Sequence, residues 1–166
     1  MTAPDRVDRL VSQWKAERPD LDLDTMALVA RLLHVARLAG LRIDTFAGER
    51  GINRGEGDVL FTLRRAGPPY RLSPSQLADS LLVASGTMTN RLDRLEEREL
   101  IRRIPHPDDR RSLEVELTPG GRRLVDEAVT AHVANEQQML EPLSEREREQ
   151  LGRITRKLLA HLEAGG

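Results

Sequence analysis

The hydrophobic period of this 166-residue chain changes at Leu100, and that change is the strongest constraint on its fold. Upstream, apolar residues recur at helical spacing. Downstream, Ile101-Arg102-Arg103-Ile104 reads as one strand, and Leu113-Glu114-Val115-Glu116-Leu117 alternates with a period of two, the pattern of a strand with one face buried. A charged segment with two prolines, Pro105 to Ser112, separates the two runs, so they read as a hairpin with a stiffened tip. Two short helices precede it. Ser73-Pro74-Ser75-Gln76 opens the first with a capping serine, proline in the first turn and glutamine at capping-box spacing, and it runs to about Leu82. Val83-Ala84-Ser85 is a tight turn, and the second helix runs from Gly86 to about Glu99. Two helices, a tight turn and a hairpin make a winged helix-turn-helix: a mainly α fold with a small β-wing.

The flanks extend this unit with helices. Val7, Leu10, Val11 and Trp14 share helical spacing before a break at Pro19. The segment from Asp24 to about Glu49 carries Met26, Leu28, Val29, Leu32, Leu33, Val35, Leu38 and Leu41, an apolar surface wider than one face. A helix of that kind needs cover on several sides, often from a partner subunit. Gly48, Gly51, Gly55 and Gly57 read as a loop, followed by a short helix over 58–65 that ends at Gly67-Pro68-Pro69. Thr118-Pro119 opens a helix through about Leu140, and Ser144-Glu145-Arg146-Glu147 caps a last one striped by Leu151, Ile154, Leu158 and Leu162. The expected organisation is therefore N-terminal helices over 1–52 (an added helix and a dimerisation helix), a winged helix-turn-helix over 55–118, and C-terminal dimerisation helices over 119–166.

Composition removes several function classes. The chain has no cysteine, which excludes disulfides, thiolate zinc sites and thiol redox sensing. His34, His106, His132 and His161 are scattered without metal-ligand spacing, no glycine loop fits a phosphate site, and no serine is marked by a nearby base. The expectation is a protein that is not an enzyme and that uses no metal and no cofactor. No apolar run has membrane-spanning length and the N-terminus is charged, so no membrane partner and a cytoplasmic location are expected. Net charge is −1, so position and not total charge must argue for nucleic acid.

Position does so. In the second helix of the motif Met88, Leu92 and Leu95 mark the buried side, while Gly86, Thr87, Asn90, Asp93 and Arg94 fall on or near the opposite side. Small polar groups with one asparagine and one arginine suit base edges and phosphates in a major groove. At the hairpin tip, Asp109-Arg110-Arg111 presents cations of the kind favoured by a narrow minor groove. Three other charges sit near the interior boundary: Asp58, Arg91 and Arg103. They fit either a structural ion-pair network or a pocket for an anion.

With these residues in view, the chain resembles the multiple-antibiotic-resistance regulator (MarR) family. The pattern is Asp109-Arg110-Arg111 followed by Leu117-Thr118-Pro119-Gly120-Gly121, with Leu77-Ala78 and Asn90-Arg91-Leu92-Asp93-Arg94-Leu95 upstream. The resemblance implies a homodimer whose terminal helices interleave and whose two winged domains bind a palindromic operator in double-stranded DNA. It implies minor-groove insertion by Arg111, oriented by Asp109 and flanked by Arg110. It further implies base or phosphate contacts from Thr87, Thr89, Asn90 and Arg94, and a phosphate anchor at Ser73 and Ser75. The added N-terminal helix resembles the urate-responsive branch. That branch's ligand set of one Trp, one Asp and two Arg falls on Trp14, Asp58, Arg91 and Arg103, implying a repressor released by a urate-like or other aromatic anion. Such a ligand is expected to displace an Asp58–arginine salt bridge. A regulator answering to a phenolic compound or to no ligand, and a protein-binding dimerisation module, remain alternatives.

Overall fold

A computed structural model describes residues 3–106 and 112–165. The described elements are α1 (Arg6–Glu17), α2 (Asp24–Gly48), α3 (Arg54–Arg65), β1 (Arg71–Leu72), α4 (Pro74–Leu81), α5 (Ser85–Glu97), β2 (Ile101–Pro105), β3 (Leu113–Leu117), α6 (Pro119–Met139) and α7 (Glu145–Glu163). The chain divides into two compact units, residues 1–45 and 46–166. No helix among the described residues is long and apolar enough to cross a membrane.

In the first unit, Asp5 caps α1 by accepting from the N–H groups of Val7 and Asp8, and Asp8 returns a bond to the Asp5 N–H. Arg31 of α2 donates to both carboxylates, 2.7 Å from Asp5, and so ties the two helices together. Bonded by Arg31 and by the helix N–H groups, Asp5 titrates low, at about 2 against an ordinary 3.8. Val7 and Leu23 are buried.

The second unit is the winged helix-turn-helix with α6 and α7. Its core joins Val59, Leu60 and Leu63 of α3, Leu77 of α4, and Met88, Leu92 and Leu95 of α5 to Ile101, Val115 and Leu117 of the sheet and Val125 of α6. The aliphatic core follows from the scarcity of aromatics. The sheet is antiparallel with order β1-β3-β2, and Ile101 faces Leu117 while Arg103 faces Val115. Strand β1 is too short to announce itself in sequence. It exists because Arg71 and Leu72 find the free edge of β3 at Glu116 and Val115.

The capping boxes read at Ser73–Gln76 and Ser144–Glu147 both form. Helix α3 differs from the sequence reading: it begins at Arg54, four residues early, because Asn53 and Glu56 form a further capping box. Gly55 and Gly57 are thus helical, and Asp58 lies in the second turn. A side chain at Gly55 would bring Cβ within 2.6 Å of the Arg91 Nε, so this glycine is a seat for a guanidinium.

Much apolar surface has no cover within one chain. Leu28, Leu33 and Val35 of α2 are 70%, 66% and 64% exposed, and α7 buries none of its residues. Leu151, Ile154, Leu158 and Leu162, the stripe read from sequence, are all exposed.

Candidate nucleic-acid interface and anion site

Helix α5 is amphipathic by construction. Met88, Leu92 and Leu95 are at most 1% exposed and pin it to the core, which leaves Thr87, Thr89, Asn90 and Arg94 outside. Thr89 donates its hydroxyl to the Ser85 carbonyl at 3.1 Å, so its lone pairs and methyl group are what face solvent. The Arg94 side chain is 67% exposed. Ser73 accepts from the Gln76 N–H as the α4 cap, and its hydroxyl lies 2.9 Å from that of Ser75. Both hydroxyls therefore sit at one helix N-terminus, where backbone N–H groups favour an anion. Asp109, Arg110 and Arg111 lie outside the described residues; strands β2 and β3, which lead into and out of that tip, are in place.

Trp14 lies in the first unit, on α1, and is 45% exposed. The other three candidate anion ligands lie in the second. Arg103 shares the inner sheet face with Ile101, as its alternation requires, and meets α5 there. Its guanidinium bonds Asp93 at 2.6 Å and Glu96 at 2.5 Å, and its backbone N–H also donates to Glu96. The expected salt bridge between Asp58 and an arginine is not formed among the described residues. The register that points Arg103 at α5 gives it Asp93 and Glu96 as its carboxylate partners. Arg91 lies against Gly55, and with Asn53, Glu56, Thr87, Asn90 and Arg94 it lines a cavity of about 220 Å³. Arg91, expected near the interior boundary, thus shares a cavity with Thr87, Asn90 and Arg94 of the outward face.

Two buried carboxylates escaped the sequence reading. Glu116 lies between Arg71, at 2.8 Å, and Arg102 on the outer face of the sheet. Burial pushes its pKa up, but the hydrogen bonds from Arg102 and Arg71 outweigh burial and hold it below the ordinary carboxylate range. The clue was in the strand alternation, which puts Arg102 and Glu116 on one face. Glu56 is buried under α5, and the clue was Asn53 three residues before it. Tyr70, held at φ 63°, is flanked by the guanidinium carbons of Arg64 and Arg122 at 5.1 and 4.8 Å.

The geometry is that of a winged helix with an outward polar helix face, and comparison with known proteins agrees. The MarR family model matches residues 52–113. The chain is 40% identical over 156 residues to the HTH-type transcriptional regulator PecS of Dickeya dadantii, covering 94% of each chain. The chain belongs to the MarR family. Among solved structures, a MarR C80S mutant from E. coli complexed with operator DNA superposes with a TM-score of 0.70 at 25% identity, covering 82% of this chain and 97% of that one. Sco3205, a MarR family transcriptional regulator from Streptomyces coelicolor in complex with DNA, gives 0.76 at 22% identity, over 86% and 89%. MarR-family members are DNA-binding transcription regulators and not enzymes, and this chain is one of them.

Proposed function

We propose that this MarR-family regulator binds a palindromic operator as a homodimer and represses transcription until a small aromatic anion, of the urate class, releases it. The observation that carries the DNA part is the division of α5: three core residues fix its orientation and leave Thr87, Thr89, Asn90 and Arg94 on its free side. In this reading those four side chains contact base edges and phosphates in the major groove, Ser73 and Ser75 anchor a phosphate, and Arg111, oriented by Asp109 beside Arg110, enters the minor groove. The uncovered apolar faces of α2 and α7 support dimerisation, since such surfaces on an isolated chain are costly.

In the same reading Asp58, Arg91 and Arg103 are anion ligands, and Trp14 is a further candidate on α1. Arg103 is the link to DNA. It braces α5 through Asp93 and Glu96, so an anion that draws Arg103 away releases the brace and changes how the recognition helix is held. Such a ligand must bind the DNA-free form more tightly than the DNA-bound form, or the operator is not released.

Operator affinity should fall steeply with salt, with a slope near −0.9 per phosphate contacted. Arg111→Ala should cost about 1–3 kcal/mol of specific binding in a fluorescence-anisotropy titration. Urate, xanthine and salicylate are then added to the protein–operator complex. Release by urate alone supports the purine reading, release by salicylate alone moves the effector to phenolic acids, and no release by any of the three removes the ligand claim. An Arg111→Ala variant with wild-type affinity removes the wing assignment.

A further inference from the structure

Glu56 has no part in the reading above, yet it is the buried carboxylate placed under the recognition helix. It is the third residue of α3, and its carboxylate accepts from the Asn53 backbone N–H at 3.1 Å and from the Asn53 amide at 2.7 Å. Across from it stand Arg91 and Arg94 of α5 and its C-cap residue Arg98. Arg91 rests on Gly55; Arg98 lies 3.6 Å from Glu56 and donates to the Gly51 carbonyl at 2.7 Å; Arg94 lies 3.9 Å away. At these separations Glu56 attracts both Arg94 and Arg98 without forming a close hydrogen bond to either. The N–H groups of Arg94 therefore stay available, and its side chain is two-thirds exposed on the side that Thr87 and Asn90 occupy.

We propose that Glu56 is a positioning residue for DNA recognition. It draws Arg94 toward the α3 end of the cavity and offsets positive charge along α5, so that the helix discriminates between sequences and does not adhere to any phosphate it meets. The inference rests on the DNA reading above. Its chemistry is electrostatic: a fixed anion behind a guanidinium lowers nonspecific attraction to phosphates while leaving directional hydrogen bonds to base edges.

Glu56→Gln removes the charge while its one amide oxygen keeps the backbone arm of the capping box and gives up the bond from the Asn53 amide. The thermal midpoint should therefore fall by only a little, consistent with the loss of one hydrogen bond. The variant's affinity for a scrambled duplex should rise, its log K against log salt slope should steepen by about 0.9, and its operator-to-scrambled ratio should fall by about tenfold. Glu56→Asp, which retains the charge at a position where Asp8 already serves α1, should restore the wild-type ratio and slope. It also keeps the test open if the glutamine variant folds poorly. The effect of Glu56→Gln should shrink when Arg94 is already alanine. If wild-type protein binds the operator with normal salt dependence and the Glu56→Gln profile superimposes on it, the assignment of Glu56 is overturned and the DNA reading stands. If wild-type protein shows no salt-dependent operator binding, both fall together.

Discussion

Gly121 marks the joint between the wing and α6, and replacing it with alanine tests how that joint is built. Its N–H donates to the Thr118 hydroxyl at 2.9 Å, and the Thr118 N–H donates to the Leu100 carbonyl at 3.1 Å. A Cβ placed on Gly121 would lie 1.9 Å from the Leu100 oxygen, 2.9 Å from its carbonyl carbon and 3.2 Å from its Cα. All three are backbone atoms, so no rotamer change relieves the contact. The start of α6 must move by roughly 1 Å from the strand that begins at Ile101, a residue only 2% exposed. Overpacking of this kind costs about 1–3 kcal/mol, and losing the Thr118–Leu100 bond adds about 1 kcal/mol. The expected total of about 2–4 kcal/mol is a large share of a typical domain stability. The neighbouring Gly120 is the control: its nearest contact would be the Thr118 hydroxyl at 3.6 Å, so alanine fits. There it should stabilise by about 0.5–1 kcal/mol through the reduced freedom of the unfolded chain. Urea unfolding at one fixed protein concentration reads both variants, since a dimer's midpoint depends on concentration. Equal midpoints for the two variants, or a Gly121→Ala protein as stable as wild type, would refute the account of the joint.

Leu82, the C-cap of α4, sits in the left-handed region at φ 52° with 93% of its surface exposed. It gives up little packing there, so Leu82→Gly should raise stability by about 0.5–1 kcal/mol by relieving the backbone; a lower urea midpoint would show that the exposed leucine contributes more than its strain costs. Asp5 makes α1 acid-sensitive. Its folded pKa of about 2 lies below the ordinary 3.8, so its stabilising effect is complete above pH 4 and disappears as pH falls toward 2. Trp14 fluorescence, which reports on α1, should change over that window in wild-type protein and lose this component in Asp5→Asn; an identical acid profile in the variant refutes the assignment.

The secondary structure was largely legible because its signals are local. Strand β3 over 113–117, the caps at Ser73, Thr118 and Ser144, and the buried stripe of Met88, Leu92 and Leu95 each follow from residue type and spacing within a few positions. The glycines at 55 and 57 misled for the opposite reason. Their composition suggests a loop, but the Asn53–Glu56 capping box starts the helix before them, and residue 55 is glycine because a guanidinium from 36 residues later occupies the space a Cβ would fill.

The recognition site divides in the same way. Which side of α5 faces outward was set by sequence alone, since three apolar residues at helical spacing leave only one side free. The partners of its charges were set by the tertiary structure. Sequence placed Arg103 on an inward strand face, but only the strand register against β3 and the approach of α5 made Asp93 and Glu96 its carboxylates in place of Asp58. Sequence contained the Asn53–Glu56 box, but only packing put Arg94 and Arg98 above it. Periodicity is a property of a segment and can be read along the chain. Ion pairing depends on a few ångströms between segments, and those distances exist only once the core has closed.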